Sequence, residues 1–166
     1  MYMGHIGIAL AGAGARPAVP VGALVLASLA SDLLDAAAGL AGLDSVYAWT
    51  HSLPAGVAIG AVAALVYVAV TKDRLGAGVV GLVGASHVLA DLSTSRLPAW
   101  PGGPTVGLHL YRFDSVDFAL EAGLVVLGWV LYRQRLTAEQ RRTWPVWAML
   151  GSLIVFQAIF QALPIS

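Results

Sequence analysis

The stretch GAGVVGLVGASHVLADL, Gly76 to Leu92, decides how this chain folds. It is apolar enough to enter a membrane, yet it closes on Ser86-His87-Val88-Leu89-Ala90-Asp91. A histidine and a carboxylate four residues apart lie on one helix face, one turn apart. Ionisable groups inside a membrane segment are costly and mark functional sites. Ala77, Gly78, Gly81, Gly84 and Ala85 make the segment nearly all small. Helices in lipid associate by close backbone packing rather than by hydrophobic drive. This segment is therefore expected at the centre of a bundle.

Composition points the same way. The chain has 166 residues, 58% of them apolar and 11% charged, against about 25% charged in an ordinary soluble domain. Such a chain cannot cover itself with polar side chains in water. The expectation is one all-α domain, residues 1–166, a polytopic transmembrane bundle of about five or six segments. A net charge of zero argues against a nucleic-acid surface. With no cysteine, thiolate metal sites and thiol nucleophiles are excluded. Met1-Tyr2-Met3-Gly4-His5 lacks the basic region of a cleaved signal, and no lipidation motif is present.

Six apolar segments can be drawn: Met3 to Ala15, Pro20 to Leu40, Leu53 to Val70, Gly76 to Leu92, Asp114 to Leu131 and Trp144 to Leu163. The first is short for a bilayer core about 30 Å thick and would thin the membrane or re-enter it. A Pro- and Gly-rich loop, Ser93 to Phe113, separates the fourth from the fifth. If all six cross, Arg16, Lys72, Arg74, Arg133, Arg135, Arg141 and Arg142 fall on one side, and Arg96 and Arg112 on the other. Cationic bias makes the first side cytoplasmic.

On that topology all four histidines, His5, His51, His87 and His109, share the outer side. So do Asp32, Asp35, Asp44, Asp91, Asp114, Asp117 and Glu121, while only Asp73 and Glu139 are cytoplasmic. Imidazole with carboxylate is a ligand set for Zn²⁺, Mn²⁺ or Fe²⁺. Plainer readings compete at several positions. Asp114 fits an N-cap and Asp117 a first-turn carboxylate. His109 and Asp44 suit solvated loops, and Tyr47, Trp49, Trp100, Tyr111, Trp144 and Trp147 suit an interfacial belt. The candidate ligands that remain are His5, Asp32, His51, His87, Asp91 and Glu121, for one or two divalent ions, zinc first.

These residues carry a resemblance. Met3-Gly4-His5, Leu29-Ala30-Ser31-Asp32-Leu33-Leu34, His51-Ser52-Leu53, Ser86 to Asp91, Arg96 with Pro98, Val106-Gly107-Leu108 and Glu121 are together similar to a family of small bacterial integral-membrane proteins described as membrane-bound metal-dependent hydrolases. The resemblance runs through nearly the whole chain. It implies a cytoplasmic-membrane location and a metal site on the same six residues. Three positions depart from the family: Ser95 replaces a histidine, Thr50 a serine, and Asp35 an aromatic residue.

The first functional expectation is hydrolysis at the outer membrane–water interface. Asp35 or Glu121 would relay a proton, and Arg96 and Arg112 would bind an anionic group such as a lipid headgroup phosphate. Two other classes stay open: a transporter using the His/Asp cluster as an ion or proton path, and an assembly factor stapled by its metal. Membrane lipids are the expected surroundings, and self-association is open.

Overall fold

Glycines decide how near the helices come to one another. The computed structural model describes residues 3–43 and 46–162, which form eight α-helices and one small hairpin. Asp44 and Leu163 lie outside the described residues. Helix α1 (Gly4–Ala15) lies along α7 (Asp114–Gln134). A Cβ on Gly7 would stand 2.5 Å from the Leu124 carbonyl oxygen, one on Gly14 2.5 Å from that of Leu131, and one on Gly128 would strike the carbonyl of Gly7. Helices α5 (Leu53–Thr71) and α6 (Arg74–Thr94) meet the same way. A Cβ on Gly60 would stand 2.5 Å from the Gly81 carbonyl oxygen. Gly78, counted in the small-residue stripe, faces open space instead.

Between these pairs sits α2 (Val21–Ser28), packed on α1 and α6. Ala9, Ala13, Val19, Leu24, Ala27, Val80 and Val83 form the buried apolar cluster there. At the edge, α8 (Trp144–Ala162) docks on α7. Trp129 Nε1 donates to the Val146 carbonyl at 2.8 Å, and the Arg133 guanidinium lies over the Trp129 and Trp147 rings at 4.5 and 4.7 Å. Gln157 is the buried residue of α8. Its other side chains face outward or partly so, as suits a helix bathed in lipid.

Four helices are long and apolar enough to cross a membrane: α5, α6, α7 and α8. The segment expected as one span over Pro20 to Leu40 is broken. Helix α2 ends at Ser28, and α3 (Ala30–Leu40) leaves it at 60°. Neither proline nor glycine stands at the bend. Leu29 is out of the helical region at φ −102°, ψ 5°. The Ser28 hydroxyl donates back to the Val25 carbonyl at 2.9 Å, and the Ser28 carbonyl accepts from a side chain of α6. Polar groups that enter the backbone ladder bend helices in this way. The pair counts as a fifth span or as a re-entrant turn.

Helix α1, at 12 residues, is about 18 Å long, too short for a full span. It nonetheless runs along α6 from the Asp73 cap to the turn that carries His87. His5 lies beside His87 and Asp91, and beyond the other end of α1 Arg16 reaches Asp73 at 3.3 Å. Asp73 caps α6 by accepting from Gly76 N–H at 2.9 Å. That bond, with Arg16 beside it, holds the carboxyl below its ordinary range. His87 is fourteen residues along α6, so the histidines sit about 20 Å from the Arg16–Asp73 end.

The expected loop of Ser93 to Phe113 is more structured than its prolines suggest. Helix α6 continues to Thr94, and strands β1 (Leu97–Pro98) and β2 (Thr105–Val106) pair antiparallel. Gly107 then turns at φ +135° with the Ser95 carbonyl where a Cβ would be, and only glycine fits both demands. Leu108 N–H donates to the Leu92 carbonyl at 2.8 Å, tying the loop to the end of α6.

Adding one methyl group tests the packing. Gly7→Ala and Gly128→Ala are each expected to cost about 1–3 kcal/mol through backbone collision. Gly78→Ala is expected to be neutral or to stabilise by up to about 1 kcal/mol. Thermal melts of the three variants in one detergent check the order.

Candidate metal centre

His87 is the hub. Its Nδ1 donates to the Ser28 carbonyl oxygen at 2.7 Å. A carbonyl only accepts, so Nδ1 carries the hydrogen and the neutral ring presents a bare Nε2. His51 is held likewise, between α4 (Tyr47–Thr50) and α5. Its Nδ1 lies 2.8 Å from Thr50 Oγ1, and that hydroxyl donates to the Tyr47 carbonyl at 3.2 Å. With the hydroxyl donating to Tyr47, Thr50 accepts from Nδ1, and in that tautomer His51 too presents Nε2. The Tyr47 ring stacks on His51 with centroids 4.4 Å apart, which locks the ring plane.

The two Nε2 atoms face one another at 3.3 Å. Asp32 Oδ1 joins them, 3.1 Å from His51 Nε2 and 3.5 Å from His87 Nε2. On the other side, Asp91 Oδ2 lies 3.3 Å from His87 Nε2, and Asp91 Oδ1 lies 3.2 Å from His5 Nε2. His5 stacks on His87 at 3.9 Å between centroids. It is 1% exposed, and neither ring nitrogen makes a hydrogen bond among the described residues. The donors form two groups, His5–His87–Asp91 and Asp32–His51–His87, each gathered within 4.8 Å. All are buried except Asp32, whose side chain is 48% exposed.

These residues fit a divalent ion on three counts. Ligands about 2.0–2.1 Å from a tetrahedral zinc stand about 3.3 Å from each other; the edges of the Asp32–His51–His87 triangle are 3.1, 3.3 and 3.5 Å. Lone pairs converging at that distance repel unless a cation lies among them. Asp91, a buried carboxylate among imidazoles, also needs a positive charge beside it, and a divalent ion would supply it. The Nδ1 partners on a backbone carbonyl and a hydroxyl are what metal-bound histidines ordinarily have.

The other expected site residues are placed differently. Glu121 is fully buried but lies in neither group; its Oε2 accepts from Gly4 N–H at 3.1 Å, holding the start of the helix that carries His5. Asp35 is half-buried one turn beyond Asp32 on α3, also in neither group. Arg96 and Arg112 are exposed in the loop at the same end of the bundle, with Arg112 over the Phe113 ring. His109 is an exposed loop residue, as expected. Asp114 is not the N-cap: Phe113 holds that position, and Asp114 is in the first turn. Asp117 is in the first turn of α7, as expected, and is fully buried beside Glu121.

Tyr47, expected in the interfacial belt and exposed as that requires, also stacks on the site through His51. Its spacing of four from His51 was the available signal. Thr50 directly precedes His51 in the sequence, whereas Ser28 contributes through its backbone and carries no signal at all.

No protein-family model matches the chain, and neither does any curated protein or solved structure. The centre is therefore argued from its own geometry. If Thr50 fixes the His51 tautomer, Thr50→Val lowers zinc affinity about 10- to 100-fold. Chelator competition on the purified protein measures it, with the thermal melt of the metal-free form unchanged.

Proposed function

We propose that the chain is a metal-dependent hydrolase of the bacterial cytoplasmic membrane, acting on phosphoester headgroups at the extracytoplasmic face. One observation carries the reading: a buried His/Asp centre in which a single ligand, Asp32, is half-exposed. A centre built only to staple helices would gain from being sealed. Catalytic metal sites instead keep one side open. The seven-to-two distribution of cations supports the orientation.

One ion is the better count. Both donor groups share His87 Nε2, and His87 Nδ1 is committed to Ser28, so this ring serves one ion only. Zinc suits the triangle best, with manganese or iron as alternatives for two imidazoles and a carboxylate. A divalent ion held there supplies Lewis acidity, which makes water acidic near neutral pH and polarises an ester.

The chain's own residues do the rest. Asp32 marks the open side, where water and the phosphoester enter. Asp35, the next carboxylate on α3, takes a proton from the attacking water, whose oxygen bonds to phosphorus as the ester P–O bond breaks, and returns that proton to the departing oxygen. Arg96 and Arg112 are the cations at this end and bind the phosphate oxygens. Glu121 acts as a positioning residue, holding Gly4 and with it His5.

A proton on His87 in place of a metal is the competing state, and it suits a transporter. It would pair the facing nitrogens but leave the buried Nδ1 of His5 without a hydrogen bond among the described residues. Both His/Asp groups found among the described residues also lie at one end of the bundle, with none toward Arg16 and Asp73.

The test uses protein reconstituted in vesicles of phosphatidylglycerol and phosphatidate, with release of water-soluble phosphate compounds as the readout. Turnover should stop with a chelator, return with zinc, and fall to background in His51→Ala. Arg96→Ala should raise KM about tenfold or more at similar kcat, the loss of one charge-assisted hydrogen bond. Turnover indifferent to chelation overturns the proposal, and an unchanged KM removes Arg96 from substrate binding.

A further inference from the structure

The bend at Leu29 opens a groove of about 570 Å³ on the side of the bundle, between α2–α3 and α5, with Val80 of α6 at its floor. That volume lies within the range of about 300–1,000 Å³ found for ligand pockets. Its walls are apolar, with Tyr67 at one end. Two features distinguish it from an accidental dent in a lipid-facing surface. The first is direction and length. Along α5 it runs from Ala58 to Tyr67, nine residues or about 13 Å. One leaflet of hydrocarbon is about 15 Å thick, half of a core of about 30 Å.

The second is where it leads. At the end nearer the histidines the wall is made by Ala30, Leu33 and Leu34 of α3. Ala30 and Leu33 bracket Ser31 and Asp32, so the helix that walls the groove also carries the exposed ligand of the centre.

We infer that this groove holds one acyl chain of a phospholipid from the outer leaflet, and that the substrate of the centre is a phospholipid presented sideways from the bilayer with its headgroup at Asp32. This rests on the hydrolase reading above and names the substrate class for it. In lipid, a groove gains nothing by excluding water; it offers dispersion contacts and alignment. Alignment is what the chemistry needs. A chain laid along α5 fixes the height and direction of its headgroup, turning a freely diffusing lipid into an oriented reactant. Ala58 and Val62 are exposed within the groove, so larger side chains there fill it without entering the core.

The test places the protein in phosphatidylcholine nanodiscs with a minor fraction of phosphatidylglycerol carrying a diazirine midway along one acyl chain. After irradiation, adducts are mapped by peptide mass spectrometry. The expected result is labelling concentrated on the groove residues of α2, α3 and α5. Ala58→Trp and Val62→Trp should each cut that labelling about tenfold, whereas Leu65→Trp, exposed on α5 outside the groove, leaves it unchanged. Adducts spread evenly over the outward faces of α5, α7 and α8, or labelling indifferent to the filling variants, would overturn the inference. So would a groove left unlabelled because a second copy of the chain fills it, seen as a cross-linked dimer. Metal content, read on the same samples, reports on the centre separately. Labelled grooves in metal-free protein would sink the hydrolase reading, and evenly labelled protein with its metal would sink the groove alone.

Discussion

The hydrogen bond from His87 Nδ1 to the carbonyl of Ser28, 2.7 Å long, is the contact on which the rest of this structure depends. It joins α6 to the last residue of α2, where the chain turns by 60°. It fixes one tautomer of a buried imidazole, and so aims a lone pair at His51, Asp32 and Asp91. A straight second span would carry Asp32 past the histidines instead of across them. The same bend opens the lateral groove. Tautomer, ligand geometry and substrate path thus share one cause.

That contact forms only because the helices come very close. Gly60, Gly81 and Gly84 let α5 and α6 touch backbone to backbone, which brings His51 at the head of α5 to His87. Gly7, Gly14 and Gly128 do the same for α1 and α7, which seats the short first helix in the middle of the bundle and puts His5 against His87. Larger residues at these crossings would move the imidazoles apart by more than a metal–ligand bond tolerates. Small residues in this chain therefore set the precision of a polar site as well as the packing of apolar helices.

Much of this was legible in the amino-acid order. Low charge and apolar runs specify a helical membrane bundle, and the segregation of histidines from cations brings His5, Asp32, His51, His87 and Asp91 to one end. The rest was not legible, for physical reasons. The break at Leu29 has no proline or glycine because a histidine 58 residues later helps make it. A backbone acceptor such as the Ser28 carbonyl looks the same at every position. Tyr47 reads as a belt aromatic because an amphipathic ring suits both roles, and only tertiary contact with His51 reveals the second. Glu121 and Asp117 drew different readings from similar spacing, yet both are buried near the start of α1, since polar residues of one helix face share whatever that face packs against.

The central claim is that a divalent cation lies among these donors. Elemental analysis of the detergent-purified protein, beside a His87→Ala/Asp91→Ala double variant of the same preparation, tests it most directly. The account predicts about one ion of zinc, manganese or iron per chain, lost from the double variant while its helical content is retained. Wild-type protein without tightly held metal, even after equilibration with zinc and removal of the excess, would contradict it and leave the cluster as a protonated His/Asp network.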